Sequence, residues 1–352
     1  MIVKNSTHRL PVLDLMRFAA ALGVLFFHFL YAGAEEGVYP GIAPMSAFSL
    51  GWLGVDVFFV ISGLVIAIST EGRTAVSFAK ARFIRLFPAF FVCSALGALA
   101  WGLFSTHKID LLVQWIVGLT FVPGAFGFEP RLSVYWTLAI EVTFYLWVAV
   151  FITTGVWRYL NVIMVSWLAL ALVNQFLFQN SSVSAIFLTN FAGHFCAGMA
   201  IYQIVRGRAT AVTPIILAAA WLCFYKYNLG YFNYMAAAHG FVVDQRFVPF
   251  IPLLVILSVY AAADVATVGP SVARWFSVLG AASYPLYLVH TDVGHGGRMY
   301  FDRLAGRFPS ISDIITPSVH MGIAIIGSVT ASVLFAVYVE PRARSLLKRV
   351  VR

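Results

Sequence analysis

The sequence predicts an all-α polytopic membrane protein with about ten transmembrane helices and both termini on the cytoplasmic side. Three observations carry that expectation. Of 352 residues, 61% are hydrophobic and only 11% are charged, with a mean hydropathy of +0.89, whereas a soluble domain carries about 25% charged residues. Apolar stretches of about 20 residues, the length a helix needs to cross a bilayer, recur along the chain. Arginine and lysine then divide unequally between alternate connections, as the positive-inside rule requires.

The ten stretches fall at residues 12–33, 49–70, 84–105, 134–154, 158–178, 185–205, 211–229, 247–265, 273–291 and 318–340. The first is too long for a signal peptide and lacks a small-residue cleavage site, so it should remain as the first span. Residues 111–122 are apolar but too short to cross, and read as an interfacial or re-entrant piece. With the N-terminus inside, the inner segments hold fifteen cations, from Lys4 and Arg9 through Arg82 and Arg85 to Arg352, and the outer segments hold seven. If residues 111–122 crossed, every later loop would invert and Arg206 and Arg208 would face outward. A single transmembrane domain over 1–352 is expected, with no second soluble domain. No inverted repeat is visible, which argues against a secondary transporter. The net charge of +9 is a topology signal, and nucleic acid is not an expected partner. Cys93, Cys196 and Cys223 lie in apolar stretches without metal-ligand spacing, so they read as small core residues and no metal is expected.

Ionisable residues inside apolar spans are costly and mark candidate sites. Arg17 and His28 stand eleven residues apart in the first span, about three helical turns, which places them on one face roughly 16 Å apart. Asp14 lies a turn below Arg17. In the second span Asp56 sits in Gly54-Val55-Asp56-Val57-Phe58-Phe59, with Ser62-Gly63 beyond it. A structural carboxylate bonded to a neighbouring helix is an equal alternative there. Arg82 and Arg85, at i and i+3, suit phosphate oxygens; the alternative is an anchor on anionic lipid headgroups. In the fourth span Glu141, Phe144 and Tyr145 share a face. A carboxylate there needs a charge partner or a proton, and either state serves acid–base chemistry. Ser283-Tyr284-Pro285-Leu286-Tyr287-Leu288-Val289-His290 brings His290 to the outer end of the ninth span. This topology expects His28, Asp56, Glu141 and His290 in the outer half, and Asp14, Arg17, Arg82 and Arg85 in the inner half. His194, among small residues in the sixth span, reads as structural.

Together these segments resemble the acyltransferase-3 family of integral membrane acyltransferases over nearly the whole chain. The family's basic residue, ten-residue interval and His match Arg17 to His28. Its Arg-x-x-Arg motif with a following Pro matches Arg82, Arg85 and Pro88. Glu-x-x-Phe-Tyr matches Glu141, Phe144 and Tyr145. Gly-Val-Asp-x-Phe-Phe-x-x-Ser-Gly matches Gly54 to Gly63, Ser-Tyr-x-x-Tyr-x-x-His matches Ser283 to His290, and Glu340-Pro341 matches the usual end of the last span.

The resemblance implies O-acyl transfer, commonly of acetyl, from cytoplasmic acyl-CoA (acetyl-CoA) to a hydroxyl on an extracytoplasmic or lipid-linked glycan, in the bacterial cytoplasmic (inner) membrane. His28, Glu141, Asp56 and His290 are the expected catalytic residues, with His28 as general base or acyl carrier. Arg17, Arg82, Arg85 and Tyr145 are the expected donor-binding residues. The chain is expected to be the stand-alone form without a C-terminal hydrolase-like domain. Membrane lipids are further expected contacts, and self-association is left open. The competing class is a transporter or flippase that uses the charged stripe as its pathway. Loops 31–48, 230–246 and 292–317 are expected to shape acceptor choice, with Tyr31, Tyr39, Trp52, Tyr231 and Tyr234 as sugar-stacking surfaces or ordinary interface aromatics.

Overall fold

The structure, a computed structural model, describes residues 10–350 apart from 104–105, 241–242, 266–267, 309 and 311–313. Lys4, Arg9 and Arg352 of the charge tally, and the last two residues of the third predicted span, lie outside the described residues. The described residues are mostly helical and include no strand. The longer helices are α1 (Pro11–Phe26), α2 (Gly54–Ser69), α3 (Ala75–Gly102), α4 (Lys108–Gly118), α5 (Trp136–Thr153), α6 (Leu160–Val173), α7 (Ala192–Val205), α8 (Thr213–His239), α9 (Phe250–Asp264), α10 (Pro270–Thr291), α11 (Gly297–Arg307), α12 (Pro317–Leu334) and α13 (Glu340–Val350).

Among the described residues, seven helical stretches are long and apolar enough to cross a membrane. They contain α1, α2, α3, α5, α6, α7 and the run from α12 into α13. The other three predicted spans also fold as helices, α8, α9 and α10. Lys226 and Asn228 in α8, and Ser271, Arg274 and Ser277 in α10, lower their hydropathy, and α9 is short. The short apolar run at 111–122 overlaps α4, whose Ile109, Leu112 and Ile116 face outward. Trp115 ties α4 to α3 by donating to Ser94 Oγ at 3.1 Å. Arg82 and Arg85 lie in the opening turns of α3, whose start is capped by the Thr74 hydroxyl on the Ser77 N–H.

Close approaches fix the directions of the helices. Gly23 meets Gly51 and Ala20 meets Gly54, so α2 runs antiparallel to α1. Gly280 abuts Asp14 while the His290 ring lies 5.1 Å from that of His28, so α10 runs parallel to α1. Asp56 meets His194 and Glu71 meets Arg206, so α7 runs parallel to α2. α3 travels from Arg85, beside Glu340, to Trp101, beside Asp292. At the Arg85 end, polar side chains bind three connections together. Glu71 accepts from Tyr202 at 2.8 Å and Arg206 at 3.1 Å, Trp157 donates to Thr70 Oγ1 at 2.9 Å, and Gln203 donates to Asn161 at 2.7 Å. The connections carrying Arg73, Arg158 and Arg206 therefore share one face.

Glycine permits the closest helix contact. A Cβ at Gly198 would collide with the Val60 carbonyl oxygen and the Leu64 backbone nitrogen of α2. Gly198→Ala is expected to destabilise the protein by about 1–3 kcal/mol through overpacking against rigid backbone. Thermal unfolding in detergent reads this; an unchanged midpoint would contradict the packing.

π-helical turns interrupt the regular helices at Phe27–Ala32, Asp292–Gly296 and Phe335–Val339, as well as at Asn174–Phe178. The first contains His28, the second follows His290, and the third precedes Glu340. Such turns are frequent at functional sites, because the extra residue per turn re-aims the side chains that follow it.

Candidate active site

A cavity of about 550 Å³ opens between α1, α2, α3, α5, α10 and α13. Each helix contributes polar groups. Asp14 and Arg17 come from α1, Ser62 from α2, Arg82 and Arg85 from α3, Glu141 and Tyr145 from α5, Tyr284 from α10, and Glu340 and Arg344 from α13. All four sequence-predicted donor-binding residues thus meet in one space.

Some of these groups satisfy one another. The Tyr145 hydroxyl donates to Glu141. The Arg82 guanidinium stands 5.9 Å from the Phe78 ring and 6.0 Å from the Tyr145 ring, within cation–π range. Glu340, only 3% exposed, faces Arg85 at 3.8 Å and also accepts from Arg344. Other donors have no protein partner. Arg17 Nε, Arg82 Nε, Arg344 Nε, Ser62 Oγ and Tyr284 Oη are buried without a hydrogen bond, and all five residues line the cavity. An unsatisfied buried polar group costs about 1–3 kcal/mol, so the cavity suits a ligand rich in acceptors. Four guanidinium groups against three carboxylates make that ligand anionic.

Phe58, Thr137 and Tyr287 bound the cavity on the side of the histidines. The Tyr287 ring lies 5.8 Å from that of His290, and His290 lies 5.1 Å from His28. Neither histidine lines the cavity. His290 Nδ1 approaches the Tyr287 carbonyl oxygen at 2.9 Å and the Leu286 carbonyl oxygen at 3.2 Å. Because both partners only accept, Nδ1 carries the proton, and in the neutral ring Nε2 holds the lone pair. His28 is half-buried and His290 is 1% exposed.

Two expected placements change. Glu141 lines the cavity with Arg17, Arg82 and Arg85, on the side expected of the inner group, since α5 carries it past Thr137 toward Tyr145. Asp56 is turned to α7, where His194 Nε2 lies 3.0 Å from its Oδ1, and both side chains are at most 2% exposed. Neither residue lines the cavity. The contact between Gly54 and Ala20 sets Asp56 beside the middle of α1, below the level of His28. The neighbouring-helix alternative for Asp56 describes this contact. Among the aromatics suggested for sugar stacking, Tyr31, Tyr39 and Trp52 are buried, whereas Tyr234 is 60% exposed.

Sequence reasoning missed a buried ionic clamp beside the histidines. Arg131 Nη1 donates to Asp292 Oδ1 at 2.8 Å and Nη2 donates to Oδ2 at 2.5 Å, while Trp101 Nε1 donates to Oδ1 at 2.9 Å. Asp292 follows His290 by two residues, so the clamp holds the end of α10 against α3 and the segment before α5. Both side chains are less than a tenth exposed. Asp292→Asn is expected to cost about 3–5 kcal/mol by leaving Arg131 buried beside a neutral group. Unfolding of the purified variant tests this; wild-type stability would refute it.

Comparison with known proteins adds three findings. A family model described as an acyltransferase domain matches residues 10–337. The exopolysaccharide production protein ExoZ of Rhizobium meliloti is 32% identical over 259 residues, covering 69% of this chain and 77% of that protein. Nodulation protein 10 of Rhizobium leguminosarum bv. viciae is 33% identical over 157 residues, covering 38% of this chain and 41% of its own length. No solved structure matches.

Proposed function

The chain belongs to this acyltransferase family, and from that premise we propose that it moves a short acyl group, acetyl first, from cytoplasmic acyl-CoA to a glycan hydroxyl. The acceptor class is an extracytoplasmic or lipid-linked glycan of the exopolysaccharide kind, a reading supported by the similarity to a protein named for exopolysaccharide production. One observation carries the donor assignment: a cavity with four arginines and five unsatisfied polar groups, ending next to a pair of histidines. We read the protein as a single domain of ten spans in the bacterial cytoplasmic membrane, termini inward. The joined connections bearing Arg73, Arg158 and Arg206 support that orientation.

In this reading Arg82 and Arg85, with Arg17 deeper, bind the phosphates of coenzyme A, which are too highly charged to enter hydrocarbon. Tyr145 braces Arg82 and holds Glu141. The pantetheine arm follows the cavity toward Tyr287. The acceptor oxygen attacks the thioester carbonyl, the C–O bond forms and the C–S bond breaks. His28 takes the hydroxyl proton as general base and returns it to the leaving thiolate. His290, fixed through Nδ1, orients His28.

The test is thiol release from acetyl-CoA by purified protein in nanodiscs, with and without glycan acceptor, alongside solute uptake into sealed vesicles. Acceptor-dependent release with acetylated glycan is expected. Solute movement with no thiol release would support the transporter instead.

A further inference from the structure

The donor cavity and the histidine pair are separated by two aromatic rings. Phe58 and Tyr287 both line the cavity and meet edge to face, with centroids 6.1 Å apart at 70°. Beyond Tyr287 stand His290 and then His28. A thioester bound by its phosphates among the arginines therefore meets this pair before it meets either histidine. We propose that Phe58 and Tyr287 form the partition through which the acyl group reaches His28, and that Phe58 limits the enzyme to short acyl chains. The inference rests on the acyl-CoA reading of the cavity.

The two rings are held differently. The Tyr287 hydroxyl donates to the Val134 carbonyl oxygen at 2.9 Å and lies 3.0 Å from the Thr137 hydroxyl, and the residue is 7% exposed. Its ring is anchored at the far end and cannot swing without breaking those contacts. Phe58 has no such anchor and is partly exposed toward the cavity. Its neighbour Phe59 also lines the cavity but is only 4% exposed and is packed against Phe191, His194 and Phe195. The Phe-Phe pair therefore splits its work: Phe59 secures α2 to α7, and Phe58 is left as the movable leaf against a fixed Tyr287. Apolar pockets discriminate chain length through the fit of each methylene, about 10–200-fold per group. An acetyl group needs a small displacement of Phe58, whereas each added methylene needs a larger one. Shortening Phe58 removes that barrier without touching the arginines.

The test compares acetyl-, butyryl- and hexanoyl-CoA as donors for full-length protein in nanodiscs, reading kcat/KM for thiol release beside the Kd of CoA. Phe58→Ala is expected to raise hexanoyl-CoA relative to acetyl-CoA by about tenfold or more, in a variant that still binds CoA. Phe58→Leu, which keeps more of the apolar volume, should shift the ratio in the same direction by less; it carries the test if the alanine variant does not fold. An unchanged ratio in a variant that still binds CoA overturns the partition while sparing the donor reading. Failure of the wild type to bind CoA overturns both.

Discussion

His28→Ala is expected to abolish acyl transfer while leaving the protein folded and able to bind CoA. Removing a general base typically costs about 10²–10⁴ in rate. His28 lies outside the cavity lining, so the Kd of CoA should not move. The measurement is acceptor acetylation by mass spectrometry together with CoA binding on the same preparation. Retained acetylation would remove His28 from the chemistry; loss of CoA binding would make its role structural.

The second large effect belongs to the arginine pair. Arg82→Ala combined with Arg85→Ala should weaken CoA binding by about a hundredfold or more. Each charge-assisted hydrogen bond contributes about 1.5–3 kcal/mol, and 1.4 kcal/mol is a tenfold change in Kd. The fold should tolerate the change, since Glu340 keeps Arg344 as its partner when Arg85 is removed. Calorimetric titration of CoA into wild type and variant reads the difference. Equal affinities would return both arginines to the role of lipid-headgroup anchors.

Much of this site was legible from spacing. Arg82 and Arg85 at i, i+3, Glu141 with Tyr145 at i, i+4, and Arg17 in line with His28 are local patterns, and a helix turns each into a shared face. What spacing does not reveal is depth and facing. Asp56 and His28 lie in neighbouring spans, but Asp56 turns to His194 because the small residues Gly63 and Gly198 bring α2 against α7. Glu141 goes with the arginines because α5 carries it past the Thr137–Tyr287 contact. Pairing across long separations was also hidden. Arg131 and Asp292, 161 residues apart, read in sequence as loop charges, yet they form a buried bidentate pair. The π-helical turns at His28 and beyond His290 have no signature in hydropathy, although the first contains His28 itself. The helical character of the chain was plain from composition. The span count was not, since the polar residues of α8 and α10 make those helices less apolar than their neighbours.

The central claim is that one cavity holds an acyl-CoA with its thioester directed at the histidine pair. A structure determined with a non-transferable acetyl-CoA thioether tests this most directly. The account predicts phosphates on Arg82 and Arg85 and the acyl end beneath Phe58 and Tyr287. An analogue bound at the opposite end of the bundle, near Arg131, or with its acyl end turned away from Tyr287, would contradict it.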